Sequence, residues 1–377
     1  MPESAQRFQR IIISGGGTGG HIHPALAIAD EIKRRNPQCD ILFVGALGRM
    51  EMEKVPAAGY PIHGLWITGI DRNLRSLRNW IFPLKLVNSL WKARQILRRF
   101  RPELVVGVGG FASGPLLFQA AQMGIPTAIQ EQNSFPGITN RLLAKRVQLI
   151  CAGFPGLERW FPSERIIETG NPLRAQVVAS AQQIASPAAA EYFGFSGDRP
   201  IAFVMGGSLG AASMNAAVKR ILTSHATPLP FDLLWQSGAR YHTEMVQFVE
   251  SLPANVQPHV RCVGFIDRMD LAYQSATVIA SRAGAMSIAE LALIGKPTIL
   301  VPSPVVAEDH QTKNAKSLSD RGGAVLLRDS EVIENLGMEI SSLLGDESRQ
   351  QTLTQHLRSA ARPHAAQDVV NALENIT

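Results

Sequence analysis

The chain has 377 residues, more than one hydrophobic core ordinarily supports, so two domains are expected and a single small binding module is excluded. Hydrophobic residues make up 45% and charged residues 18%, a balance that buries a large core and excludes a disordered or coiled-coil chain. The net charge of +6 is unevenly held, because residues 1–170 carry 21 Lys and Arg against 12 Asp and Glu, whereas residues 171–377 carry 16 against 19. Three distant cysteines, Cys39, Cys151 and Cys262, form no CxxC pair and no zinc-ligand spacing, which suits a reducing cytoplasm. The first ten residues lack the apolar run of a secretory signal. The uncharged stretch Leu104 to Gln130 is interrupted by five glycines and two prolines, so it reads as strand, loop and helix rather than a membrane span.

In chain order, β-rich runs alternate with helical patterns, which predicts parallel sheets built from βαβ units. The first half offers strands at Arg10 to Ser14, Ile41 to Val44, Leu104 to Val108, Thr127 to Gln130 and Leu149 to Ala152. The second half offers Ile201 to Met205, Asp232 to Gln236, Val260 to Val263, Val278 to Ser281 and Thr298 to Val301. The join is expected near Thr169-Gly170-Asn171-Pro172, a turn-forming cluster. The expected fold class is therefore α/β, with two Rossmann-like, doubly wound parallel-sheet domains facing a cleft. Ligands of such sheets bind at the carboxyl ends of the strands.

The first strand runs into Gly15-Gly16-Gly17-Thr18-Gly19-Gly20-His21. Such a turn lets backbone N–H groups approach an anion at a helix N-terminus. No Gly-Lys-Ser/Thr ending follows, which excludes a Walker loop. The Gly15-x-Gly17-x-x-Gly20 spacing fits the dinucleotide fingerprint, but its acidic partner fails, since Asp40 opens the second strand instead of closing it. Gly107 to Pro115 repeats the glycine turn in the same half, and Gly206-Gly207-Ser208-Leu209-Gly210 does so in the other. Three anion cradles would suit two phosphorylated ligands, although each glycine turn taken alone is equally a tight βα connection.

Between Arg72 and Arg101 nine Lys and Arg residues occur with no carboxylate, and Trp80, Phe82, Leu84, Val87 and Trp91 are interleaved among them, with Trp66 just upstream. Two readings stand side by side: an amphipathic core helix with a solvated basic face, and a surface that docks on anionic lipid. Nucleic acid is disfavoured, because no recognition motif accompanies the patch. Further on, Ser281 to Glu290 precedes a helix ending at Gly295-Lys296-Pro297. Ser287 and Glu290 have capping-box spacing, and a carboxylate there also suits ribose hydroxyls. Glu308 to Asn314 places polar side chains where a sugar could be read.

At these residues the sequence resembles the bacterial N-acetylglucosaminyltransferases of peptidoglycan synthesis, the MurG family. The matching segments are GGGTGGHIHPALAIA from Gly15, GVGGFASGP from Gly107, EQNSFPGITNRLLAK from Glu131, GNPLR from Gly170, GGSLGA from Gly206, SRAGAMSIAEL from Ser281 and HQTKNA from His310. The resemblance implies a GT-B glycosyltransferase: an acceptor and membrane-associated domain over 1–170, a UDP-GlcNAc-binding domain over 171–349, and a last helix within 350–377 that packs back on the first. It places Thr18, Gly19, Gly20 and Asn133 near the donor sugar and diphosphate from the first domain. From the second it recruits Arg174, Ser208, Ile266, Gln311 and the run Ala285, Met286, Ser287, Ile288, Ala289 and Glu290. Leu209, Phe111 and His310 depart from the family's frequent Gln, Tyr and Gln, which puts roles for the first two side chains in doubt.

The implied reaction moves GlcNAc from UDP-GlcNAc to lipid I, with inversion, on the cytoplasmic face of the inner membrane. It needs a base for the attacking hydroxyl, and His21 is the candidate, since imidazole titrates near neutrality; the alternative is a phosphate contact or a loop cap. His23 reads as structural. No Asp-x-Asp element lies near the glycine turns, so no metal or other cofactor is expected. Two rivals remain. A transferase acting on a small acceptor would not need the basic aromatic segment, and a UDP-GlcNAc 2-epimerase would need acidic residues beside the sugar.

Overall fold

The protein is described by a computed structural model over residues 8–69, 77–181, 187–207, 209–224, 229–306 and 309–376. It divides into two units, residues 1–174 with 364–377, and residues 175–363.

The first unit runs β1 (Arg10–Ser14), α1 (Gly19–Arg35), β2 (Asp40–Ala46), α2 (Glu51–Ala57), β3 (Ile62–Leu65), α3 (Leu77–Phe100), β4 (Leu104–Gly107), α4 (Ser113–Gln122), β5 (Thr127–Glu131), α5 (Ile138–Leu143), β6 (Leu149–Ala152) and β7 (Ile166–Glu168). All seven strands are parallel, in the order β3-β2-β1-β4-β5-β6-β7. Central strands of such a sheet are covered on both faces and must be apolar throughout. Ile11, Ile12 and Ile13 are accordingly all fully buried, and they feed two cores on opposite sides of the sheet.

The second unit runs α6 (Ala175–Ala181), α7 (Pro187–Tyr192), β8 (Ile201–Met205), α8 (Ala212–Ser224), β9 (Asp232–Gln236), α9 (His242–Glu250), β10 (Val260–Val263), α10 (Met269–Ser275), β11 (Val278–Arg282), α11 (Ala285–Ile294), β12 (Thr298–Val301), α12 (His310–Ser319), β13 (Val325–Leu326), α13 (Val332–Leu344) and α14 (Glu347–Ser359). Its six parallel strands follow the order β10-β9-β8-β11-β12-β13. The order reverses between β1 and β4 and again between β8 and β11. Those two switch points are where an open α/β sheet leaves a crevice for ligand.

The last helix, α15 (Ala365–Glu374), belongs to the first unit. Val369, Val370 and Leu373 lie in the same core as Ile11, Ile13 and Ile28, each contributing roughly 2 kcal/mol through burial. Arg35 fixes the helix by donating to Asn371 Oδ1 at 2.7 Å and to the carbonyl of Gln367 at 3.1 Å. The returning segment is shorter than the expected 350–377. Residues 347–359 instead form α14, whose Leu353 packs in the second unit's core with Leu336 and Ile340. The join also falls later than expected, after Arg174. Asn171 is buried in the first unit, where it accepts from Gln130 Nε2 at 3.0 Å and donates to the carbonyl of Gln132 at 3.0 Å. These bonds hold the GNPLR stretch to the end of β5, and Gly170 N–H donates to the carbonyl of Ala152 at the end of β6 at 3.1 Å.

Candidate functional site

In the first unit the turn after β1 brings Thr18, Gly19, Gly20 and His21 together. Thr18 is the extended N-cap residue of α1, and its side chain makes no capping bond. The first helical N–H groups point out of the helix end, as at any α-helix N-terminus. Gly17 adopts φ +88°, which places its N–H against Glu51 Oε2 at 2.7 Å. His21 Nδ1 lies 2.8 Å from the carbonyl oxygen of Gly16 and 3.4 Å from Thr18 Oγ1. A carbonyl only accepts, so Nδ1 carries a proton, and in the neutral ring Nε2 holds the lone pair a base requires.

The second glycine turn does not form a separate cradle. A Cβ on Gly110 would stand 2.6 Å from the Gly16 oxygen and 3.0 Å from its nitrogen, and one on Gly109 would meet the His21 ring at 2.8 Å. These glycines serve the close approach of one turn to the other. Ser113 fastens the contact, donating to the carbonyl oxygens of Ser14 at 2.8 Å or Gly109 at 2.9 Å.

Asn133 follows β5, beside β4 in the sheet. Its backbone N–H and its Nδ2 donate to Glu131 Oε1 at 3.0 and 3.2 Å, while Asn140 Nδ2 donates to Glu131 Oε2 at 2.8 Å. The buried Glu131 carboxylate thus shapes the whole loop, a role its position in the sequence did not signal. Arg174 was expected from the second domain but falls in the first unit, beside His23. Burial, followed by the charges of Arg174 and Lys54, lowers the His23 pKa to about 4, so this imidazole is neutral at pH 7.

In the second unit, Gly207 takes φ +83° after β8, and the expected Ser208 lies outside the described residues. Gln236, at the end of β9, joins this turn to another expected residue: its Nε2 donates to the Gly207 carbonyl at 3.1 Å and its Oε1 accepts from Ile266 N–H at 3.2 Å. Ala285 to Glu290 form the start of α11, but the expected capping box is absent. Gly284 is the N-cap, so Ser287 lies a turn too late to cap, and Glu290 instead accepts from the Tyr273 hydroxyl at 2.8 Å. Gln311, in the first turn of α12, accepts from Ser303 N–H at 2.8 Å. Arg282, at the end of β11, bonds Asp329 Oδ1 at 2.5 Å and donates to Ser213 Oγ at 2.7 Å. It thereby ties the start of α8 to the turn ahead of α13, as a half-buried cation paired with Asp329.

On α3 the exposed residues Trp80, Leu84, Val87 and Trp91 recur at helical spacing on one face, at 78, 62, 65 and 61% exposure. The opposite face, with Ala93, Ile96 and Leu97, is packed in the core. Phe82 lies two positions from Trp80, about 200° around the helix, and packs partly on that core. The core-helix reading therefore holds for Phe82 and the latter part of α3, and fails for the two tryptophans. Arg72 and Arg75 and the side chain of Arg78 lie outside the described residues. Among those described, no helix is long and apolar enough to cross a membrane and no cluster of side chains suits a metal ion.

Residues 11–151 match the N-terminal domain of glycosyltransferase family 28, and residues 201–369 its C-terminal domain. The UDP-N-acetylglucosamine–N-acetylmuramyl-(pentapeptide) pyrophosphoryl-undecaprenol N-acetylglucosamine transferase of Christiangramia forsetii is 48% identical over 97% of each chain. The transferase of the same name from Cytophaga hutchinsonii is 47% identical over 100% of this chain and 98% of its own. The crystal structure of Acinetobacter baumannii MurG superposes with a TM-score of 0.75 at 26% identity, over 97% of this chain and 99% of that one. With both family domains matched in order, each on its own parallel sheet, the chain belongs to glycosyltransferase family 28 and, within it, to the MurG transferases.

Proposed function

We propose that the protein transfers GlcNAc from UDP-GlcNAc to the 4-hydroxyl of MurNAc in lipid I (undecaprenyl-diphospho-MurNAc-pentapeptide), with inversion, giving lipid II and UDP. The reading is carried by near full-length likeness to relatives named for that activity. The second unit holds the donor. The N-terminal end of α8 favours the diphosphate, Ile266 and Gln311 flank the nucleotide and sugar, and Glu290, oriented by Tyr273, accepts from the ribose hydroxyls. The first unit supplies the acceptor side, with Thr18, Gly19, Gly20 and Asn133 around the sugar.

His21 Nε2 takes the proton of the attacking hydroxyl as the new C–O bond forms, while the bond from the anomeric carbon to UDP breaks. The α8 dipole stabilises the departing diphosphate, so no resident metal is required. Incubation with UDP-GlcNAc and a lipid I analogue, followed by product mass, tests the assignment. Transfer to small acceptors but not to lipid I would favour the runner-up, a UDP-sugar transferase with a soluble acceptor.

A lipid-linked acceptor brings its enzyme to the cytoplasmic face of the inner membrane. The face bearing Trp80, Leu84, Val87 and Trp91 enters the headgroup boundary, and the cations between Trp66 and Arg101 supply attraction to anionic lipid. Sedimentation with anionic vesicles should fall with salt without vanishing, because screening acts on the charges and not on insertion. Trp80→Ser with Trp91→Ser should remove the salt-resistant part and leave the melting temperature unchanged. Binding unaffected by the pair would sink this reading.

A further inference from the structure

Glu51 opens α2 and is 1% exposed, yet nothing in the transfer chemistry described above uses it. Its Oε2 accepts from Gly17 N–H at 2.7 Å and its Oε1 from Ala46 N–H at 3.0 Å. With both oxygens receiving backbone N–H groups, the carboxylate spans the ends of β1 and β2. The glycines around it make room: a Cβ on Gly16 would overlap the carboxylate, and one on Gly45 would stand 2.5 Å from Glu51 Cγ.

The N–H that Glu51 receives and the carbonyl that His21 contacts belong to the same peptide group, Gly16–Gly17. On one side the carboxylate accepts from Gly17 N–H; on the other the Gly16 oxygen accepts from His21 Nδ1–H at 2.8 Å. Hydrogen bonds in series through one peptide polarise each other. A carboxylate on the N–H makes the carbonyl a stronger acceptor, which favours the Nδ1–H tautomer and the positive charge that develops when Nε2 takes up a proton. The buried carboxylate of a serine-protease triad does the same to its histidine directly; here one peptide unit intervenes. Gly110 closes the other side of Gly16, so the peptide is held from both directions.

We propose that Glu51 is a positioning residue for the transfer, orienting and polarising His21 through the Gly16–Gly17 peptide. The proposal rests on the reading of His21 as the base. Glu51→Gln preserves shape but offers only one acceptor oxygen and turns an NH2 toward the other N–H. The full-length variant should keep wild-type affinity for UDP by calorimetry and lose about tenfold or more in kcat with a lipid I analogue. In a His21→Ala background the same substitution should cost nothing further, since its route of action is gone. An equal loss in both backgrounds, or wild-type kcat in a folded Glu51→Gln protein, overturns the proposal.

Should His21→Ala alone retain turnover, the base reading fails, and the tautomer of His21 by nitrogen NMR decides the positioning role by itself. A shift from Nδ1–H to a mixture in Glu51→Gln upholds it, and an unchanged tautomer overturns it. If Glu51→Gln does not fold, Glu51→Asp, one methylene too short to reach both N–H groups, replaces it in the same cycle.

Discussion

The two units carry a glycine turn at the same topological place, after β1 and after β8, but hold it by opposite means. In the first, the turn lies on the buried Glu51 carboxylate and a second glycine turn covers it. In the second, the turn lies on the neutral amide of Gln236, with the Arg282 guanidinium bonded to the start of the following helix. A carboxylate behind a turn opposes a phosphate in front of it, whereas a neutral amide does not. Under the proposed function the same glycine pattern serves base positioning in one unit and diphosphate binding in the other. Turn sequence alone did not separate these uses.

The largest effect that can break this contrast is His21→Ala, which should lower kcat about 100-fold or more with UDP affinity unchanged. A loss confined to acceptor KM would make His21 a contact and not a base.

Glycine substitutions sharpen the comparison in stability. Gly110→Ala must combine φ +89° with a Cβ against the Gly16 backbone, whereas a Cβ on Gly207, at φ +83°, meets nothing within 4 Å. The first should cost about 2.5 kcal/mol and turnover with it; the second only the backbone term of about 1 kcal/mol. Equal melting temperatures for the two variants would show that the turns of the first unit are not packed together.

His23 gives a pH signature to the first unit. Its folded pKa of about 4 lies below the ordinary histidine value of 6.5, so between those values the unfolded chain binds the extra proton. Stability contributed here is complete above pH 6.5 and declines as pH falls toward 4, by about 3 kcal/mol. Denaturant melts across that window should show this slope in the wild type and a flatter one in His23→Leu.

The smallest effect tests the second unit. Glu290→Ala should weaken UDP about tenfold, near 1.4 kcal/mol, and Tyr273→Phe by less, since it removes only the orienting bond. Because Glu290 is not in a capping box, the melting temperature should move little in either. A lower melting point with unchanged UDP affinity would leave the carboxylate a structural role alone.

Nine of the ten legible strands are central, and central parallel strands are continuous apolar runs bounded by turn residues; the tenth, β10, lies at an edge. The three that were missed, β3, β7 and β13, all lie at sheet edges. Ile62-His63-Gly64-Leu65, Ile166-Ile167-Glu168 and Val325-Leu326 are short and partly exposed, so burial on both faces imposes no pattern on them. Among the site residues, His21 and the glycine turns stood out as local motifs. Glu51 and Gln236 did not, because each acts on backbone groups brought to it by the sheet: Gly17 is 34 residues from Glu51, and Ile266 is 30 from Gln236; Glu131 did not either, although its partners Asn133 and Asn140 lie only two and nine residues on. Ser287 and Glu290 misled for a related reason. Their spacing satisfied a capping box, but the helix is capped three residues earlier, at Gly284, and Tyr273 competes for the carboxylate.

By itself the sequence determined the α/β class, the order of the buried strands, the sites of the glycine turns and the family, since these rest on local periodicity and contiguous motifs. Tertiary structure decided which charge stands behind each turn, which tautomer His21 adopts, where the chain passes from one unit to the other and which face of α3 meets solvent. Apart from the His21 tautomer, set by a carbonyl five residues away, those properties arise from groups far apart in sequence. Whether a buried carboxylate or an exposed tryptophan is tolerated depends on the free energy of its surroundings, and those surroundings exist only once the sheet has formed.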